Sequence, residues 1–185
     1  EPIPPFDVQL PLLSVPRVLR TNLENLPEPG PYIQPSQVAV EHWRETLAAY
    51  QGLRVGVCWQ GSTTFVHDRL RSIPLPMLNA LLRTENITFF SLQKDKGSSL
   101  IEDAKMEDLC VDLTHKMDNG PHAFLDTAAM IANLDVVITV DTAIAHLASA
   151  MGKPTWIALP FAPCWRWLRD RDDSPWYPTA RLFRQ

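Results

Sequence analysis

The chain has 185 residues, enough to bury one substantial core, so one globular domain is the expected count. A hydrophobic share of 45% and a charged share of 21% are ordinary for a soluble globular protein, while a net charge of −4 gives no general pull toward nucleic acid. No apolar run approaches the roughly 20 residues that cross a bilayer, so the chain is not expected to span a membrane.

Three cysteines, Cys58, Cys110 and Cys164, are odd in number, widely spaced and free of any CxxC pair. That pattern implies reduced thiols in a cytosolic setting rather than disulfides or zinc.

The first 35 residues hold 9 of the 17 prolines, which forbids long helices and central strands there. Residues 1–36 therefore read as a proline-rich connecting arm that wraps the domain or arrives from a preceding one, with Leu12 to Leu19 adding a short strand. The chain begins with Glu1 rather than methionine and shows no signal peptide, so a piece of something longer is expected.

Residues 37–185 read as an alternation of helices and strands. Val38 to Tyr50 is a helix candidate, with Val40, Trp43 and Leu47 on one face and Gly52 as its stop. Leu53 to Trp59 is the first strand. After it comes a small polar loop, Gln60 to Thr64, at the carboxyl edge where open α/β sheets bind ligands. His67, Asp68, Arg69, Arg71 and Ser72 continue it. Its two arginines either reach an anionic group or are solvated loop charges. There is no GxGxxG and no P-loop lysine signature, which counts against dinucleotide dehydrogenases and P-loop nucleotidases.

Leu75 to Arg83 is expected as a helix entered through Pro74 and Pro76, and Ile87 to Leu92 as the second strand, with Gln93 and Lys94 at its carboxyl end. Asp95 to Lys105 is weakly helical. Leu109 to Leu113 is expected as a third strand, and Pro121 with His122 to open a helix reaching Asn133, its core stripe Phe124, Ala128 and Ile131. Asp126 and Thr127 are read as structural.

Leu134 to Pro160 is the most informative stretch, a complete strand, helix, strand unit. Val136 to Val140 is continuously apolar and mostly β-branched, as a strand covered on both faces is. Asp141 is expected as the N-cap, and Gly152, Lys153 and Pro154 end the helix. Ile144, Leu147, Ala148 and Met151 form its packed stripe, while Thr142 and His146 share a different face. Thr155 to Leu159 resumes a buried strand, parallel to the first. A helix N-terminus at the carboxyl end of a parallel strand suits a phosphate. On spacing alone, Asp141 and Thr142 could equally serve only as caps, with His146 a half-buried surface residue.

Cys164 to Leu168 is an aromatic, helical piece. Asp170, Arg171 and Asp172 form a DxD triplet, but no strand leads into it and arginines flank it, so internal salt pairing is expected and no metal. The arginine-rich tail as a whole reads as self-paired. Ser174 to Tyr177 is a turn and Ala180 to Arg184 a last short strand. Trp156, Trp165, Trp167 and Trp176 are expected as a packed aromatic cluster in preference to part of an interdomain face.

The phrase ITVDTAIAHLASAMGKPTWIALP, the WRW of Trp165 to Trp167 and the tail DDSPWYPTARLFRQ resemble the carboxyl-terminal portion of bacterial glycosyltransferases of family 9, the ADP-heptose:LPS heptosyltransferase type, in the versions fused behind tetratricopeptide (TPR) repeats. VGVCWQGS, DRLRSIPL, FFSLQK and FLDTAAMIANLDVVITV carry the same resemblance, which covers about Pro11 to Gln185.

The resemblance implies one half of a GT-B architecture: an α/β, Rossmann-like three-layer domain with a mainly parallel sheet of five or six strands. It implies a donor-binding domain of an inverting, metal-independent glycosyltransferase, with the catalytic base in a missing amino-terminal domain, so that this chain binds rather than catalyses. Asp141, Thr142, Ala143 and His146 would surround the donor's ribose and pyrophosphate. Gln60, Gly61 and Ser62 would lie beside the phosphates, Arg69 or Arg71 would oppose them, and Gln93 would lie near the nucleoside.

No cofactor is implied beyond a nucleotide-sugar donor such as an ADP- or UDP-sugar. The implied partners are that amino-terminal domain, TPR repeats and an acceptor glycan, lipopolysaccharide or protein. The implied location is cytoplasmic, with peripheral attachment at the inner membrane. Ala143 departs from the family's usual glycine after the Asp-Thr pair, and a nearby lysine is missing, so Arg69 or Arg71 must stand in for it. The alternative is a non-catalytic nucleotide-binding or protein-interaction domain that kept the fold.

Overall fold

The computed structural model of the chain describes residues 5–27, 29–94 and 96–185, and for Lys96, Gly97 and Ser98 the backbone alone. Glu1 to Pro4 and Glu28 of the expected arm, and Asp95 at the head of an expected helix, lie outside the described residues.

In chain order the elements are α1 (Val15–Val18), α2 (Gln37–Leu47), β1 (Leu53–Cys58), α3 (Asn79–Leu82), β2 (Ile87–Ser91), α4 (Lys96–Asp103), α5 (Leu125–Ala132), β3 (Val136–Val140), α6 (Ala143–Ala150), β4 (Thr155–Leu159) and β5 (Ala180–Arg184). The five strands form one sheet in the order β2-β1-β3-β4-β5, and every pairing is parallel. The α/β class with a parallel sheet expected from the sequence is the class observed.

Alternation along the strands splits the apolar residues into two cores. Phe90 and Val137 face one way and join Trp43 and Leu47 of α2, Met130 and Ile131 of α5 and Ile144 of α6. Val55, Val57 and Phe89 face the other way and pack on Leu75, Leu82 and Ile101. This is why the fold has three layers. Toward β4 and β5 the second face loses its cover, and Trp156, 41% exposed, lies against Phe183.

Several local expectations are corrected. Leu12 to Leu19 is not a strand but a 3-10 turn (Leu12–Ser14) running into α1, where Pro16 occupies the first turn that tolerates its missing N–H. Leu75 to Arg83 divides into a 3-10 turn (Leu75–Leu78) and the single-turn α3. Leu109 to Leu113 contributes only one bridge, Val111 beside Phe90. The Asp112 carboxylate captures both the N–H and the hydroxyl of Thr114 and turns the chain away from the sheet.

Helix α5 begins at Leu125, not at Pro121, because its first donors are supplied with an acceptor from farther back. Asp118 accepts from the Asp126 N–H at 2.8 Å and from the Thr127 hydroxyl, and Asp126 accepts in return from the Asp118 N–H at 2.8 Å. Phe124 is left in the left-handed region and 44% exposed, outside the core stripe expected of it. The four tryptophans do not form one cluster: Trp165 and Trp176 meet edge to face, Trp167 is buried beside His146 and Tyr177, and Trp156 stands apart.

The arm docks where α6 ends. Tyr32 and Ile33 both donate backbone N–H groups to the Ala150 carbonyl, at 2.9 and 3.2 Å. Gly152 leaves the helix with φ of 75°, and a Cβ there would lie 2.7 Å from the Pro31 ring, so glycine serves both the turn and the docking of the arm.

Candidate functional site

The strand order turns back on itself between β1 and β3, where successive connections leave toward opposite sides and open a crevice at the carboxyl edge. A cleft of about 1140 Å³ lies there. Gln60, Gly61, Ser62, Arg71, Gln93, Asp141, Thr142, Ala143 and His146 all line it, drawn from the ends of β1, β2 and β3. Arg69 does not line it and is exposed.

The floor is a buried thiol. The Cys58 Sγ lies 3.4 Å from Gln93 Oε1 and 3.8 Å from the Thr142 hydroxyl, and burial pushes its pKa up. Gln93, itself 7% exposed, also accepts from the Gln60 N–H at 2.9 Å, so it ties the end of β2 to the loop after β1.

That loop is knotted by one ion pair. Arg71 Nε donates to Asp68 Oδ1 at 2.8 Å and Nη1 to the Asp141 carbonyl at 2.7 Å, while the guanidinium lies over the Phe65 ring. Ser72 Oγ donates to Asp68 Oδ2 at 2.7 Å and lies 3.3 Å from the Gly61 N–H. A Cβ on Gly61 would fall 2.2 Å from both Arg71 Nη2 and Asp68 Oδ1, so any side chain there would push the pair out of this geometry. Arg71 is thus placed at the cleft but already committed to Asp68.

Thr142, not Asp141, is the N-cap of α6, and it makes no side-chain capping bond. Its backbone is extended, and its hydroxyl turns inward to Thr139 Oγ1 at 3.2 Å. The first turn of α6 therefore opens on the cleft with its N–H donors uncapped by any side chain. The Asp141 carboxylate instead faces His146, Oδ1 to Nε2 at 3.9 Å.

His146 is clamped. Its ring stacks on the fully buried Trp167, with centroids 5.1 Å apart and planes 12° from parallel, and Nδ1 lies 3.1 Å from the Tyr177 hydroxyl. Burial lowers the imidazole pKa, Asp141 opposes that shift and Arg166 reinforces it. Burial and the neighbouring Tyr32 phenol raise the pKa of Tyr177, which keeps its proton. At neutral pH the cleft thus presents a neutral imidazole held in one orientation.

Sequence reasoning missed Arg166, Cys164 and Tyr177, and it placed Lys94 at the ligand edge beside Gln93 without giving it a role. Arg166, Cys164 and Lys94 line the cleft. The usable signal was positional, since residues 160–166 follow β4 at the same carboxyl edge. The DxD triplet does not pair within itself; Arg171 binds Asp173 through two hydrogen bonds, of 2.5 and 2.7 Å.

The chain is 30% identical over 167 residues to Protein FlbA of Caulobacter vibrioides, covering 89% of this chain and 28% of that protein. Its fold is similar to that of E. coli ADP-heptose LPS heptosyltransferase II, with a TM-score of 0.60 at 16% identity over 86% of this chain and 47% of the other. The chain thus spans about half the length of that structure and less than a third of the curated relative. Residues 77–160, which carry β2, β3, α6 and β4, match glycosyltransferase family 9 (heptosyltransferase).

Proposed function

We propose that this chain is the donor-binding half of an inverting, metal-independent glycosyltransferase, organised as an arm over residues 1–36 and a donor domain over 37–185. The observation that carries the reading is the cleft itself. At the switch point of a parallel sheet, it gathers an uncapped helix start, a neutral oriented histidine, a carboxylate and a glycine-dependent loop.

Each part has a task that its chemistry suits. The first N–H groups of α6 face negative charge and gain most when a diphosphate leaves, because charge grows on its oxygens as the sugar bond breaks. With Nδ1 accepting the Tyr177 O–H, the neutral His146 donates one hydrogen bond from Nε2 without a charge to desolvate. Asp141 accepts hydroxyl protons, as a ribose or sugar supplies them. Gln93, holding the Gln60 backbone, shapes the side that meets the nucleoside. The base that activates the acceptor, and the acceptor site, are assigned to a second Rossmann-like domain of a longer protein, with TPR repeats and a glycan, lipopolysaccharide or protein acceptor as further partners. A cytoplasmic location, with peripheral contact at the inner membrane, fits a nucleotide-sugar donor.

Calorimetric titration with ADP, UDP, GDP and CDP, without metal and then with magnesium, tests the reading. Saturable binding of one of them without metal is expected, weakened about tenfold or more in Asp141→Ala and His146→Ala while both variants stay folded. Absence of binding to all four would overturn it.

A further inference from the structure

Three basic side chains of the lysine and arginine type line the cleft among the described residues: Arg71, Lys94 and Arg166. Arg71 is neutralised by Asp68, which is 6% exposed, and also bonds the Asp141 carbonyl. Lys94 Nζ donates to the Met117 carbonyl at 2.9 Å and lies 3.9 Å from the buried Asp118 carboxylate. Asp141 adds an acidic side chain to the same wall. Without Arg166, then, the formal charge of these groups sums to a negative value, and no uncancelled side-chain cation among them meets a diphosphate.

Arg166 is exposed and has no carboxylate within ion-pair distance among the described residues. Nη1 lies 3.0 Å from Cys164 Sγ and the guanidinium rests over the Trp165 ring at 4.9 Å. Its backbone is fixed, since its carbonyl accepts the Trp176 Nε1–H at 2.8 Å. A thiol and an aromatic face orient a guanidinium without cancelling its charge. The charge reaches the site, since it makes His146 harder to protonate.

We propose that Arg166 is the cation that meets the diphosphate in this cleft, with Arg71 as a positioning residue that ties the loop after β1 to α6. The assignment rests on the donor-binding reading above. In this assignment Asp141 takes hydroxyl groups, and Arg166 takes phosphate together with the first N–H groups of α6. The planar fork suits two phosphate oxygens at once. Arg166 lies beyond residues 77–160, so the family match does not assign it.

The test is titration of the protein and its Arg166→Gln and Arg166→Lys variants with the preferred nucleoside diphosphate and with the matching nucleoside, at two salt concentrations. Arg166→Gln should weaken the diphosphate about tenfold or more, leave the nucleoside unchanged and flatten the salt dependence, and Arg166→Lys should recover part of the loss. Equal diphosphate affinity in parent and Arg166→Gln would overturn the assignment while leaving the donor reading intact. So would an equal loss for nucleoside and diphosphate, which marks a collapsed loop. A parent that binds no nucleotide would overturn both.

Discussion

Arg71 Nη1 donates to the Asp141 carbonyl at 2.7 Å, joining the loop after β1 to the start of α6 across the switch point of the sheet. Gly61 leaves room for the Arg71–Asp68 pair that holds this guanidinium in place. Gly61→Ala is expected to force the pair apart, costing about 2 kcal/mol of stability and weakening nucleotide binding. Arg71→Lys should do the second with less of the first, since an ammonium cannot reach Asp68 and Asp141 together. Urea unfolding and nucleotide titration separate the two. Unchanged stability in Gly61→Ala would show that the loop rearranges at no cost.

Asp118 anchors the start of α5 from outside the helix. It accepts from the Asp126 and Thr127 N–H groups and the Thr127 hydroxyl, with Asp126 also holding Trp43 Nε1 at 3.2 Å. Asp118→Ala should cost about 2 kcal/mol in chemical denaturation. A loss below a few tenths would mean that solvent replaces the cap.

What the sequence could show follows the range of the interaction that decides each feature. Spans β3 and β4 were readable to the residue because β3 is an unbroken β-branched run and β4 resumes directly after the Gly152, Lys153 and Pro154 helix stop. The start of α5 was not, since it depends on Asp118 several residues upstream and in the left-handed region. The bridge at Val111 failed to become a strand because one side chain, Asp112, outcompeted the ladder for Thr114. At the site, the residues that follow β1, β2 and β3 were legible from strand ends alone. Separating Arg71 from Arg166 was not, because whether a cation is neutralised depends on a partner that only the fold supplies.

The half-buried imidazole couples folding to pH. His146 has a pKa below its ordinary 6.5, with burial as the main cause, so between the folded and unfolded values the unfolded chain binds more protons. The stability this group contributes is complete above 6.5 and is lost as pH falls through the folded value. Denaturation of the parent and of His146→Gln, from about pH 7.5 to about pH 5, should show the parent losing more stability on acidification. Parallel curves would show that packing on Trp167 and Tyr177 does not shift the imidazole.

Thiol chemistry offers an independent view of the cleft. Cys58 and Cys110 are buried, and burial raises both, Cys110 to about 12, whereas Cys164 is only half-buried at the cleft wall. Because thiolate fraction and access set the rate, brief iodoacetamide treatment of the native protein should label Cys164 about tenfold or more faster than the other two. A nucleoside diphosphate held by Arg166 should slow that labelling, since Nη1 sits on the same sulfur. Mass spectrometry of the labelled peptides reads both effects at once. Equal labelling of the three cysteines would contradict the packing around Cys58 and Cys110, and labelling of Cys164 indifferent to a bound nucleotide would move the ligand away from the wall that Arg166 occupies.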